Sequence, residues 1–261
     1  MGNSDIECEM EDGLKEMRKF YEEFKIKNES SQEVRDFLAN AFQDEALLSR
    51  FLRGRKFRTQ YAWDTLRRYA ETRFDTYPDI FTDDIPKSVV HMRENLSMGF
   101  LKQRDKEGRR IAYFKTTEWD ADKATLKDVT AASVRIFERL LHDEDGINNG
   151  IVFIQECSGM TLKHATHYTL PAMLRIINLY WYAYPVKLKA VYFVNFPYIL
   201  TFLYRIVKPF LPKKLKERLL LTPPSRKFED LHKQISPDKL PKCLGGHLEL
   251  EEAADLAFLD G

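Results

Sequence analysis

Asn148-Asn149-Gly150-Ile151-Val152-Phe153-Ile154 decides the fold: a turn, then four consecutive apolar residues. A strand with one solvated face alternates apolar and polar side chains, so an unbroken apolar run this short reads as a strand covered on both faces. Val191-Tyr192-Phe193-Val194 repeats the pattern. Between the two runs, Thr169 to Ala183 reads as a helix with Pro171 in its first turn, where the missing N–H costs nothing. Strand, helix, strand is the signature of a crossover in a parallel sheet.

Working outward, Ile111-Ala112-Tyr113-Phe114 follows the turn Lys106-Glu107-Gly108 and reads as another strand. Thr130 to His142 is an amphipathic helix and Tyr198 to Val207 a further one. The part before residue 90 is different. Val34, Phe37, Leu38, Ala41 and Phe42 share a helical face, and Leu47, Leu48, Phe51 and Leu52 resume it after a break at Gln43 to Glu45. Thr59 is placed to cap the next helix, which carries Trp63, Leu66, Tyr69, Ala70 and Phe74 and stops at Tyr77-Pro78. The expected fold class is therefore α/β, with a small N-terminal helical unit over residues 1–90 and a mainly parallel sheet with crossover helices over residues 91–261.

The 261 residues are 44% hydrophobic and 31% charged, enough apolar material for a substantial core. Charge is nearly balanced at +1, but it is segregated. Residues 1–46 carry thirteen acidic and six basic side chains, whereas residues 186–227 carry ten basic ones against Glu217 alone. One strongly cationic face is expected on a neutral protein.

Three cysteines, Cys8, Cys157 and Cys243, show no paired spacing, which points to a reducing compartment. The N-terminus has no apolar signal segment. Gly2 follows Met1, but a myristoylation motif needs Ser or Thr where Ile6 stands, so no lipid is expected there. The longest uncharged stretch, Ala190 to Tyr204, has 15 residues, fewer than the ~20 a spanning helix needs. A soluble, cytoplasmic monomer is the expectation.

Enzyme chemistry finds few of its usual carriers. No G-x-G-x-x-G and no G-x-x-x-x-G-K-[ST] cradle for phosphates occurs. Cys157-Ser158-Gly159 ends a strand where α/β enzymes place nucleophiles, with His164 and His167 nearby. A nucleophile elbow would need glycine where Glu156 stands, and a phosphatase loop would need arginine where Lys163 stands. His164 and His167 lack further ligands in sequence, so neither a metal nor a cofactor is expected. Not an enzyme is the reading. Nucleic-acid binding has the right basic and aromatic ingredients, but the aromatic residues fall in expected buried elements and cannot stack on bases.

What stands out is a dense aromatic and aliphatic run: Tyr180, Trp181, Tyr182 and Tyr184, then Phe193, Phe196, Tyr198, Phe202 and Tyr204. Such elements can wall a cavity for a hydrophobic ligand. The helix from Tyr198 is apolar around most of its girth through Leu200, Leu203, Tyr204, Ile206 and Val207, and Lys208, Lys213 and Lys214 follow. A helix so apolar beside lysines suits a lid that alternates between a pocket and an anionic membrane.

These residues resemble the CRAL-TRIO lipid-binding family, in pattern nearest its tocopherol and retinaldehyde carriers. The matching pieces are Leu47-Leu48-Ser49-Arg50-Phe51-Leu52-Arg53-Gly54-Arg55-Lys56-Phe57, Tyr184-Pro185-Val186-Lys187-Leu188-Lys189, Asn195-Phe196-Pro197, Lys208-Pro209-Phe210-Leu211, and Leu240-Pro241 to Gly245-Gly246. They stand in family order across about four-fifths of the chain. Two motifs depart from the family: Glu156-Cys157-Ser158-Gly159 replaces an Asp-Leu-Glu-Gly, and Cys243 and Leu244 replace an acidic and an aromatic residue.

The resemblance implies a sheet-floored apolar cavity closed by a gate helix at about Asn195 to Leu211, with Leu200, Leu203, Tyr204, Ile206, Val207 and Leu211 as gate residues. It implies pocket residues Ser133, Phe137, Ile151, Phe153, Met160, Ile176, Leu179, Tyr180, Tyr184, Leu188 and Val191. It also implies a phosphoinositide-binding cleft at Arg55, Lys187, Lys189 and Lys214. The ligand it implies is hydrophobic, whether tocopherol-, retinoid- or phospholipid-like. The function expected is a soluble carrier that moves this molecule between membranes and associates with them transiently. A lipid-responsive sensor or adaptor, regulating a protein partner without net transfer, is the alternative.

Overall fold

In the computed structural model the backbone is described for residues 3–27 and 30–260, so the terminus at Gly2 lies outside the described residues. Four helices come first: α1 (Asn3–Lys27), α2 (Gln32–Ala41), α3 (Glu45–Gly54) and α4 (Thr59–Glu71). Side-chain caps start two of them, since the Val34 N–H donates to Ser31 Oγ at 3.2 Å and the Leu47 N–H to Asp44 Oδ1 at 2.9 Å. Thr59 is not the cap expected of it. It is the first helical residue, and Arg58 before it makes no capping bond.

Helix α5 (Lys87–Glu94) spans residue 90 and buries Val89 and Met92 with the sheet's apolar residues. There follow β1 (Met98–Arg104), β2 (Arg110–Lys115), α6 (Leu126–Glu138), α7 (Glu144–Asn149), β3 (Ile151–Glu156), α8 (Leu162–His167) and α9 (Leu170–Ile177). A π-helical turn at Asn178–Ala183 then leads to β4 (Leu188–Val194), α10 (Thr201–Val207), α11 (Lys213–Arg218) and β5 (Leu219–Leu221). Helix α6 begins four residues before the expected Thr130, because Thr125 and Asp128 form a reciprocal capping box.

The sheet runs β1-β2-β3-β4-β5, antiparallel only at β1 with β2 and parallel elsewhere. Its two faces have separate partners. Ile111, Tyr113, Val152, Ile154, Tyr192 and Val194 pack beneath the C-terminal segment on Leu231, Ile235, Leu240 and Leu244. Residues at the alternate positions, such as Ala112, Ile151 and Phe153, face the crossover helices. Both faces are thus covered, which is why Ile151 to Ile154 of β3 and Ala190 to Val194 of β4 form unbroken apolar runs.

The helical unit is not a separate ball. Its core of Leu38, Leu48, Phe51, Leu66 and Tyr69 continues into Ala131, Val134, Leu179, Ala183 and Tyr184. Gly54 makes the closest approach: a Cβ there would stand 2.2 Å from the Pro185 carbonyl oxygen, so only glycine lets α3 end against that peptide.

Candidate ligand cavity, gate and cationic patch

A cavity of about 260 Å³ lies between the sheet, α6, α9 and the segment from Tyr198 to Leu211. It exceeds the roughly 150 Å³ apolar cavity known to stay dry and hold a benzene-sized guest. Ile151, Phe153, Leu188 and Val191 floor it from the sheet, and Ser133 and Phe137 face it from α6, one helical turn apart. Met160, Ile176, Tyr180 and Tyr184 complete that side. The few polar groups on its wall mostly satisfy one another. Ser133 Oγ and the Tyr180 hydroxyl are hydrogen-bonded, and Gln155 Nε2 donates to the Tyr168 hydroxyl at 3.2 Å. The remaining surface is hydrocarbon, which favours an apolar guest.

Leu179 corrects the expectation. It is fully buried in the core shared with α4, on the side of the π-helical turn away from the cavity, whereas its neighbour Tyr180 lines it. Trp181 and Phe193 of the aromatic run line the cavity too, and lining residues that the sequence reading did not single out include Ile136, Gln155 and Tyr168. Alternation along β3 with Phe153 would have pointed to Gln155.

The expected gate segment has two faces. Leu200, Leu203, Tyr204, Val207 and Leu211 line the cavity. Ile206 does not: it is exposed, and it stands with Tyr198, Phe202 and Phe210 in an outward stripe. These four recur every fourth residue, so they lie along one side, and Phe202 is 67% exposed. Asn195 at φ 52° and Pro197 set the chain's entry to this segment, and Pro212 its exit. Exposed Arg205 and Lys208 sit beside the stripe.

A cationic patch forms where β4 begins. Lys187 Nζ donates to the carbonyls of Ile147 and Asn148, each at 3.1 Å, at the end of α7, which leaves one of its three N–H groups free. Burial, with repulsion from Lys189, Lys56 and Arg55, pushes its ammonium down to about 8. Lys189 is lowered as well, by burial and by Lys56, Arg218 and Arg109. Arg109 is paired with Asp105 at 2.6 Å, but among the described residues Lys56, Lys187 and Lys189 make no ion pair, and cations crowded this way invite an anion.

Arg55 is the second correction. It is only 4% exposed and spends its donors inside the protein: Nε to Thr65 Oγ1 at 2.8 Å, Nη1 to the Pro185 carbonyl at 3.3 Å, and Nη2 to the Tyr184 carbonyl. It props the patch from beneath and does not face a headgroup. Lys56 and Arg218 join the surface instead, Lys56 from the matching piece that holds Arg55 and Arg218 from the basic segment, and the resemblance assigned neither to the cleft. Lys214 is exposed one turn before Arg218 on α11, and so on the same side of that helix, but it is not among the charged neighbours acting on Lys187 or Lys189.

Of the strand-end nucleophile candidates, Cys157 is buried, and the two nearby histidines are engaged elsewhere. Burial pushes the Cys157 thiol far up, away from the thiolate a nucleophile needs. His164 Nε2 lies 2.8 Å from the Trp119 carbonyl oxygen and its Nδ1 2.9 Å from Thr161 Oγ1, while His167 Nε2 lies 2.9 Å from the Ala121 carbonyl oxygen. Among the described residues no cluster of three metal-ligating side chains occurs, and no helix is long and apolar enough to cross a membrane.

Residues 94–246 match the sequence profile of the CRAL/TRIO domain. Clavesin-1 of Xenopus laevis is 32% identical over 209 residues, which cover 78% of this chain and 61% of that protein. Clavesin-2 of Homo sapiens is 32% identical over 227 residues, covering 83% of this chain and 68% of that protein. The chain therefore spans about three-fifths to two-thirds of these relatives. Among solved structures, the crystal structure of Sfh5 superposes with a TM-score of 0.58 over 97% of this chain and 92% of that one. Identity there is 10%, so the likeness is one of fold.

Proposed function

The chain belongs to the CRAL/TRIO domain family of lipid-binding and transfer proteins, and from that premise we propose that it is a carrier exchanging one hydrophobic molecule between membranes at anionic, phosphoinositide-bearing surfaces. The observation that carries this reading is the two-faced gate: Leu203 and Val207 turn inward to a hydrocarbon cavity, while Phe202 and Ile206 turn outward to solvent.

Each buried methylene holds the guest by about 0.8 kcal/mol, so a dozen of them make escape through water slow. Exchange is faster where the gate opens without wetting the guest. The outer stripe supplies the contact, since Tyr198, Phe202, Ile206 and Phe210 lose water by entering the bilayer boundary. Lys187, Lys189, Lys56, Arg218 and Lys214 supply the attraction, at about 1 kcal/mol for each cation near an anionic leaflet. A gate that finds lipid for its inner face only when docked couples opening to docking.

The test is transfer of a fluorescent hydrophobic probe between vesicles with and without phosphoinositide. The Lys187→Ala, Lys189→Ala double variant should lose the phosphoinositide-dependent acceleration. Equal acceleration in both proteins would remove the docking role.

A further inference from the structure

A second concavity opens at the carboxyl ends of the parallel strands, outside the cavity and the cationic patch. Lys115 ends β2, Glu156 ends β3, and Asn195 follows the last residue of β4; the register that pairs Lys115 with Glu156 and Glu156 with Val194 brings the three together. Ser158, Lys227 and Cys243 add to its wall. The carboxyl edge of a parallel sheet is where open α/β folds receive ligands.

Glu156 is only 5% exposed. Its Oε1 accepts the Ser158 N–H and Asn195 Nδ2, each at 2.9 Å. Its Oε2 takes no hydrogen bond among the described residues, yet it is not sealed by protein atoms, so it opens into the notch. A buried carboxylate with a free oxygen asks for a donor. Lys115 and Lys227 line the same notch, and among the described residues neither ammonium has a hydrogen bond or an ion pair. Lys115 has the Cys243 thiol as its electrostatic neighbour, at the position where the family motif carries an acidic residue. Lys227 has φ 47° and ψ −113°, a conformation that glycine adopts freely and lysine only under strain. The fold thus holds a strained lysine on the wall of the notch, where glycine would be easier.

The geometry points to a binding site for a small hydroxylated organic phosphate, a polyol phosphate ester. Two ammonium groups against one carboxylate leave the notch net positive, which draws an anion and disfavours a second cation beside Glu156. The phosphate oxygens take Lys115, Lys227 and the exposed Ser158 hydroxyl. A ligand hydroxyl donates to Glu156 Oε2. Asn195 roots the gate segment, and the next residue, Phe196, donates its N–H to the Thr222 carbonyl at 2.9 Å. Occupancy therefore ties the gate's root to the sheet.

The test is calorimetric titration of the full chain with glycerol 3-phosphate, and with inorganic phosphate and glycine as comparison probes. Vesicles of phosphatidylcholine with phosphatidylglycerol form a second arm, because the same glycerol phosphate then arrives as a lipid headgroup. Lys227→Gly should unfold at higher denaturant than wild type, because it relieves the backbone, and should bind glycerol phosphate at least about tenfold more weakly. Glu156→Gln should weaken glycerol phosphate more than inorganic phosphate. The Lys187→Ala, Lys189→Ala variant should bind the soluble ester as wild type does, which separates this site from the docking patch. A loss in Lys227→Gly confined to the vesicle arm assigns the site to a headgroup, and a loss with the soluble ester assigns it to a free metabolite. Unchanged binding by Lys227→Gly in both arms, or glycine binding as tightly as the ester, overturns the proposal.

Discussion

The Tyr184 hydroxyl donates to Glu138 Oε1 at 2.6 Å, and through that carboxylate the cavity wall is tied to the N-terminal helices. Glu138 Oε2 accepts the Tyr69 hydroxyl at 2.6 Å and Arg73 Nη1 at 2.9 Å. Burial, reinforced by the Glu138 charge, raises both phenols well above their ordinary value, so each remains a donor. Glu138→Ala strands two buried hydroxyls and a guanidinium and should cost about 3 kcal/mol, whereas Tyr184→Phe should cost about 1 kcal/mol. Urea denaturation measures both.

Arg55 and Lys189 should separate stability from docking. Arg55→Lys removes a planar fork that reaches two carbonyls and a hydroxyl at once, and should lower stability by about 2 kcal/mol. Lys189→Ala should leave the urea midpoint nearly unchanged and weaken binding to phosphoinositide vesicles. The reverse outcome would restore Arg55 as a headgroup contact.

Docking should depend on pH through Lys187. Its ammonium is held down to about 8 by burial and neighbouring cations, so the free protein loses this charge as pH rises through that value. An anion at the patch favours the protonated form. Vesicle affinity should therefore be full below pH 8 and fall above it, with proton uptake on binding. Lys187→Arg should flatten the profile, since guanidinium stays charged. An unchanged slope in that variant would show that another group titrates.

The sequence made the buried strands legible and left the edges obscure, for a physical reason. β3 and β4 are covered on both faces and so carry unbroken apolar runs, Ile151 to Ile154 and Ala190 to Val194. β1 buries Met98 to Leu101 and then runs into exposed Lys102 and Gln103, and β5 has three residues; neither shows a period. Part of the cavity wall was readable because Tyr180, Trp181, Tyr184, Phe193, Phe196 and Tyr204 of the aromatic run line it, while the positions on β3 and α6 came from the family resemblance. Leu179 was misplaced by one position, where a π-helical turn breaks the helical period that would orient it. Arg55 was misread because charge in a sequence does not show desolvation: Gly54 brings the loop against Pro185, and the guanidinium turns inward to the carbonyls.

The two faces of the gate should fail differently. Phe202→Ser removes an exposed ring and should slow transfer without lowering stability by more than about 0.5 kcal/mol. Val207→Ala removes buried methyls from the cavity side and should destabilise by about 1 to 2 kcal/mol while weakening ligand retention. Denaturation and retention of a prebound fluorescent probe on gel filtration distinguish them.

The central claim is that the interior holds a guest which the gate releases at a membrane. Its most direct test is the rate at which a fluorescent hydrophobic probe moves between vesicles, with wild type beside a Leu188→Trp variant whose indole fills the cavity floor. Wild type should accelerate transfer and carry probe stoichiometrically, and the filled variant, still folded and still bound to vesicles, should do neither. Equal acceleration by the two proteins would contradict a carrier that works through this cavity.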